Sequence, residues 1–146
     1  LAHILLDWGV SVSGSDKKGC DALTDLLVHG AVLYSGHRKE HLGNPDVVVY
    51  SSAVSAENPE LYEAEQQGIP SVSRGEFLAE VARLFDSVIG VAGSHGKTTT
   101  TAMLVYVLRQ LGWQPGYMIG GHISGQMRNG SAGGGKFFRN SVQAWQ

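Results

Sequence analysis

Seven consecutive residues, Gly93-Ser94-His95-Gly96-Lys97-Thr98-Thr99, combine the types needed to hold the phosphates of a nucleotide. Glycines let backbone N–H groups approach phosphate oxygens, and a helix starting at the end of the loop adds its partial positive charge. Lys97 would neutralise the β- and γ-phosphates, and the Thr98 hydroxyl would ligate Mg2+. The strict G-x-x-x-x-G-K-[ST] pattern asks for glycine at position 91, which is Val91 here, so the match is to a shortened form opening at Gly93. A plain glycine turn capped by threonines is the bland reading. The flanks favour the phosphate site: residues 87–92 read as an apolar strand entering the loop. After the loop, Met103, Leu104, Val107, Leu108 and Leu111 make an apolar helical stripe, closed by Gly112.

Weaker candidates lie upstream. Asp16 follows a β-prone run, where an acid often contacts a ribose hydroxyl; a helix cap or turn residue fits equally well. Ser51, Ser52 and Ala53 follow an apolar strand at the edge where α/β sheets bind ligands, against the alternative of a simple turn. His37-Arg38-Lys39-Glu40-His41 matches the letters of a zinc-protease pattern. That chemistry needs a sustained helix and a third ligand, and Pro45 leaves room for about one turn, so no bound zinc is expected. Cys20 reads as an incidental thiol, and Trp8, Trp113 and Tyr117 as packing residues.

Strand-like and helical patterns alternate around these residues. Residues 10–13, 31–34, 46–50, 69–73, 87–92 and 116–120 are strand candidates, and the run at 46–50 has the fully apolar character of a buried parallel strand. Helices are expected over residues 1–8, around Ala22, Leu23, Leu26 and Leu27, from Asn58-Pro59-Glu60 to Gly68, and through Phe77, Leu78, Val81 and Leu84. Asn58 is a natural cap, with Pro at the first helical position and an acid in the first turn. Such alternation implies an α/β fold with a parallel sheet. A join near residues 85–87 splits the chain into 1–85 and 86–146. Beyond Gly120 the sequence is rich in Gly, Ser and Asn, with a further strand candidate at Lys136-Phe137-Phe138.

Composition narrows the classes. The 146 residues are 42% hydrophobic and 16% charged, a globular balance, with a net charge of −2 and no basic stripe of the kind that binds nucleic acid. One cysteine cannot make an internal disulfide, and the apolar runs are too short to span a membrane, so the cytoplasm is the expected compartment. The chain opens at Leu1 in an apparent mid-helix, and an earlier N-terminal segment is expected.

The ten residues Ala92 to Thr101, Ala-Gly-Ser-His-Gly-Lys-Thr-Thr-Thr-Thr, resemble the ATP loop of the Mur ligases. Ser13-Gly14-Ser15-Asp16, Ser51-Ser52-Ala53-Val54, Asn58-Pro59 and Ile119-Gly120-Gly121 are similar to that family in order and spacing, so the resemblance covers about residues 1–138. His95, at its place in the loop, is similar to the members that add L-alanine or recycle muramyl peptides, and the Ser51–Val54 wording favours the former.

The resemblance implies a Rossmann-like domain over 1–85 lacking its first strand and glycine loop. Ser15, Asp16, Ser51, Ser52 and Ala53 would there hold a UDP-sugar. The start of a P-loop ATPase domain would follow over 86–146, with ATP on Gly93, Ser94, His95, Gly96, Lys97, Thr98 and Thr99 and Mg2+ on Thr98. The implied reaction joins L-alanine to UDP-N-acetylmuramate through an acyl phosphate in peptidoglycan precursor synthesis, with no protein, nucleic-acid or membrane partner. The implied acids after Lys136-Phe137-Phe138 are replaced by Arg139-Asn-Ser-Val-Gln-Ala-Trp-Gln146, and the fragment alone is expected to be inactive. A different P-loop enzyme, such as a kinase or GTPase, and a module that binds nucleotide without turnover remain as alternatives.

Overall fold

A computed structural model describes residues 1–17, 24–120 and 128–134. The chain is an α/β protein that divides into two compact units. One runs from Ser11 to Ala82. The other combines Leu1–Val10 with the described residues from Arg83 onward. The first ten residues therefore group with the glycine loop, although the sequence pattern placed them with residues up to 85.

The Ser11–Ala82 unit is built from parallel strand pairs. Strand β1 (Ser13–Asp16) pairs in parallel with β2 (Val32–Ser35), with helix α2 (Thr24–Val28) between them in the chain. The start of the expected helix, with Cys20, Ala22 and Leu23, lies outside the described residues. Strand β3 (Val48–Tyr50) pairs in parallel with β4 (Ser71–Ser73), linked through α3 (Pro59–Gln66). The strands are offset by one to three residues from the apolar runs, because ladder hydrogen bonds and not hydrophobicity set their ends.

Helix α3 starts as the sequence dictates. The buried Asn58 side chain accepts the N–H groups of Glu60 at 2.8 Å and Leu61 at 3.4 Å, two donors that the helix cannot satisfy internally. Helix α4 (Arg74–Arg83) opens with a reciprocal capping box: Ser73 N–H reaches the Glu76 carboxylate, and Glu76 N–H reaches the Ser73 hydroxyl. Val81 is the buried member of its apolar face.

In the other unit, α1 (Ala2–Asp7) docks on a short antiparallel pair, β5 (Tyr117–Met118) with β6 (Gly130–Ser131). The Asp7 carboxylate fastens this contact. It takes the Ala132 N–H at 2.9 Å, the Ser131 hydroxyl at 3.1 Å and both Arg128 Nη groups at 3.2 and 3.4 Å. Trp8 packs against Phe85 with ring centroids 6.3 Å apart. Helix α5 (Lys97–Gln110) buries Val105 against Tyr117 and Ile119, with Ala102 beside them.

The structure departs from the sequence pattern at four places in this unit. Residues 87–92 form no strand: among the described residues no ladder partner flanks them, and Val88 and Ile89 stay 61% and 69% exposed. A β-prone run without a neighbouring strand has nothing to donate its N–H groups to. The buried face of α5 is Ala102 and Val105, i and i+3 on one side, whereas Met103, Val107 and Leu111 are exposed. The pairing in this unit is antiparallel, not parallel. Trp113 also lies exposed instead of packing. Lys136, Phe137 and Phe138 fall outside the described residues, and no described helix is long and apolar enough to cross a membrane.

Candidate functional site

The candidate residues fall into two groups, one in each unit, and the glycine loop belongs to the unit that holds α5. Gly93 has φ of +154° and Gly96 of +78°, backbone conformations that L side chains rarely adopt. Gly96 is the N-cap of α5 and supplies no side chain to the helix's first N–H groups. No acidic residue sits in the first turn either, so the positive end of a 14-residue helix opens at the loop.

The Lys97 ammonium turns back over the loop and donates to the carbonyl oxygens of Gly93 and, at 3.2 Å, Ser94. Ser94 and His95 are exposed at the tip. Thr98 is half-buried beside the exposed Lys97 and Thr99 in the first turn, and Thr101 returns its hydroxyl to the Lys97 carbonyl at 2.8 Å. A lysine, free helix N–H groups and a first-turn threonine hydroxyl fit a triphosphate and its divalent ion. Lys97 and the N–H groups would face the phosphates and Thr98 the ion, which neutralises phosphate charge when bound.

A shallow cavity of about 310 Å³ is lined by Arg109, Gln114, Pro115, Ser131, Gly133 and Gly134. It sits at the other end of α5, roughly 18 Å along the axis from Lys97. Arg109 there covers the Tyr117 ring at 5.1 Å. None of the described residues lining this hollow belongs to the glycine loop.

In the Ser11–Ala82 unit, Ser15 is half-buried and Asp16 exposed at the carboxyl end of β1, where the Asp16 carbonyl takes the Gly36 N–H at 2.8 Å. Ser51, Ser52 and Ala53 form a tight turn after β3: Ser51 Oγ accepts the Ala53 N–H at 3.3 Å, and its carbonyl accepts the Val54 N–H at 2.9 Å. The long-range partners of Ser15 are different residues. Its hydroxyl lies 2.7 Å from a Glu60 oxygen and 2.8 Å from His37 Nδ1. The other Glu60 oxygen takes the Arg38 N–H at 3.2 Å and stands 3.7 Å from His41 Nδ1. His41 stacks on Tyr34 at 4.5 Å between centroids, and its Nδ1–H reaches the Gly36 carbonyl at 3.1 Å.

His37 and His41 therefore meet Glu60 from α3, not Glu40 of their own segment, which is a single 3-10 turn over Lys39–His41. From the sequence alone Glu60 is only a first-turn acid and His37 only a metal candidate. The signal for their meeting was weak, because 22 and 45 residues separate them from Ser15.

A family model described as "Mur ligase family, catalytic domain" matches residues 1–86, more than half of the chain. The chain belongs to the Mur ligase family. That match stops short of Gly93, but similarity to whole Mur ligases takes in the loop. The UDP-N-acetylmuramate–L-alanine ligase of Persephonella marina is 46% identical over 137 residues, 94% of this chain and 30% of that protein. The ligase of the same name from Aquifex aeolicus is 46% identical over 136 residues, again 30% of its length. The chain thus spans about a third of these Mur ligases.

Among solved structures, the UDP-N-acetylmuramate-alanine ligase of Thermotoga maritima superposes with a TM-score of 0.81 at 29% identity, covering 88% of this chain and 30% of that one. The UDP-N-acetylmuramate:L-alanyl-gamma-D-glutamyl-meso-diaminopimelate ligase of Neisseria meningitides does so with a TM-score of 0.78 at 32% identity, covering 89% and 41%.

Proposed function

We propose that the protein acts as an ATP-dependent ligase that joins L-alanine to UDP-N-acetylmuramate in the cytoplasm. The observation that carries this reading is the similarity, over 94% of the chain, to ligases of that name, together with a lysine-bearing glycine loop at the open start of α5.

In the proposed reaction a lactyl carboxylate oxygen attacks the γ-phosphorus of ATP. ADP departs and an acyl phosphate forms. The amine of L-alanine then attacks the acyl carbon, inorganic phosphate leaves with the bridging oxygen, and the nitrogen loses a proton as the amide forms. Lys97 and the first N–H groups of α5 hold the transferring phosphoryl, and Thr98 would hold Mg2+, which would neutralise phosphate charge when bound. Catalysis of this kind is mostly positioning and charge neutralisation. Ser15, Asp16 and the Ser51-Ser52-Ala53 turn hold the UDP-sugar at the carboxyl ends of their strands, the edge that α/β sheets use for ligands.

A second reading is a ligase that attaches the preformed tripeptide L-alanyl-γ-D-glutamyl-meso-diaminopimelate, favoured by the 32% identity to the Neisseria structure. One assay separates the two. The full-length protein is incubated with ATP, Mg2+ and UDP-N-acetylmuramate, with either L-alanine or the tripeptide, and the products are weighed by mass spectrometry. The proposal expects the alanyl product and phosphate release only when all components are present. Product from the tripeptide alone would establish the second reading, and no product from either would defeat both.

A further inference from the structure

The Ser15 hydroxyl has one proton and two neighbours, the Glu60 carboxylate at 2.7 Å and His37 Nδ1 at 2.8 Å. An ionised carboxylate only accepts, so the proton goes to Glu60. Toward His37 the hydroxyl can then only accept, and His37 Nδ1 must carry a hydrogen. In the neutral ring this leaves Nε2 as an acceptor. The order is the reverse of a nucleophilic triad, in which histidine takes the serine proton. Ser15 is committed to the acid and is not an attacking group.

The Glu60 carboxylate is itself fixed. It is half-buried, it receives the Arg38 N–H at 3.2 Å, and it rises from the first turn of α3 behind the Asn58 cap. It spans β1, the segment after β2 and α3, all within one unit.

We propose that Glu60 is a positioning residue of the UDP-sugar site: by taking the Ser15 proton it locks His37 as the Nδ1–H tautomer and presents Nε2 as an acceptor for a ligand hydroxyl or N–H. This rests on the reading of the Ser15–Asp16 edge as the UDP-sugar site. Glu60 acts through Ser15 and His37, without touching the ligand.

Glu60→Gln tests it with little change of shape. The Gln carbonyl must take the Arg38 N–H, which turns its NH2 toward Ser15. Ser15 then accepts from Gln and donates to His37 Nδ1, so the hydrogen on the ring moves to Nε2. A donor now stands where an acceptor stood, and UDP-N-acetylmuramate affinity should fall about tenfold or more.

The experiment uses the full-length protein labelled with 15N-histidine, the His37 signal being assigned through a His37→Gln variant. Long-range 1H–15N spectra report the tautomer, and calorimetry reports the affinity. Nδ1–H in the wild type, Nε2–H in Glu60→Gln, and weakened binding at an unchanged melting temperature support the proposal. An unchanged tautomer or unchanged affinity in Glu60→Gln overturns it while the site reading stands. Absence of wild-type binding to UDP-N-acetylmuramate overturns both. If the variant does not fold, the wild-type spectrum decides, and Nε2–H there defeats the proposal.

Discussion

Lys97 donates from its ammonium to the carbonyl oxygen of Gly93, four residues earlier, and so folds its charge over the glycine loop. The side chain is exposed and both of its described bonds go to loop carbonyls, so the fold does not lean on it. Lys97→Ala in the full-length protein should lower ATP-dependent turnover by about 10²–10³-fold or more and leave the melting temperature within experimental error. Steady-state phosphate release and a thermal melt check this, and near-wild-type turnover would remove the phosphate role of the loop.

The turn into β5 is packed backbone against backbone. A Cβ on Gly116 would lie 2.8 Å from the Ala132 carbonyl oxygen and 2.9 Å from the Phe85 ring. Gly116→Ala should therefore destabilise the protein by about 1–3 kcal/mol through overpacking. Gly90→Ala is the control, because nothing lies within 4 Å of the added carbon, and it should stay within about 0.5 kcal/mol of wild type. Urea denaturation measures both, and equal effects would show that the 116–132 contact is looser than described.

Asp7 gives the α1 docking a pH dependence. Burial pulls its carboxyl upward, but the Ala132 N–H, the Arg128 charge and the Ser131 hydroxyl outweigh that and hold it below its ordinary value of 3.8. A carboxyl lowered by folding stabilises the folded state above the unfolded value, and that stabilisation disappears as pH falls through the folded value. The gap in urea midpoint between wild type and Asp7→Asn should thus be full at pH 5–7 and close steadily below about pH 3.8. A gap independent of pH would mean that Asp7 contributes by shape alone.

What could be read ahead of the structure was local. Gly93 to Thr99 are contiguous, and their glycines, lysine and threonines carry the motif without help from distant residues. Asn58 and Pro59 placed the start of α3 to the residue for the same reason. The contacts that escaped are those made across the chain. Ser15 meets Glu60 over 45 residues, and Asp7 meets Ala132 over 125, with no spacing rule to announce either. Strand β6 sits in a Gly/Ser-rich stretch without strand propensity and exists because β5 pairs with it. Residues 87–92 show the converse, an apolar run with no ladder partner among the described residues.

The path of one oxygen atom tests the proposed chemistry most directly. The full-length protein is given UDP-N-acetylmuramate labelled with 18O in the lactyl carboxylate, with ATP, Mg2+ and L-alanine, and the released phosphate is analysed by mass. Carboxylate attack on the γ-phosphorus, followed by departure of phosphate from the acyl carbon, must carry one labelled oxygen into each phosphate. The account predicts that transfer, in step with amide formation. Amide formed at the same rate with unlabelled phosphate would contradict it.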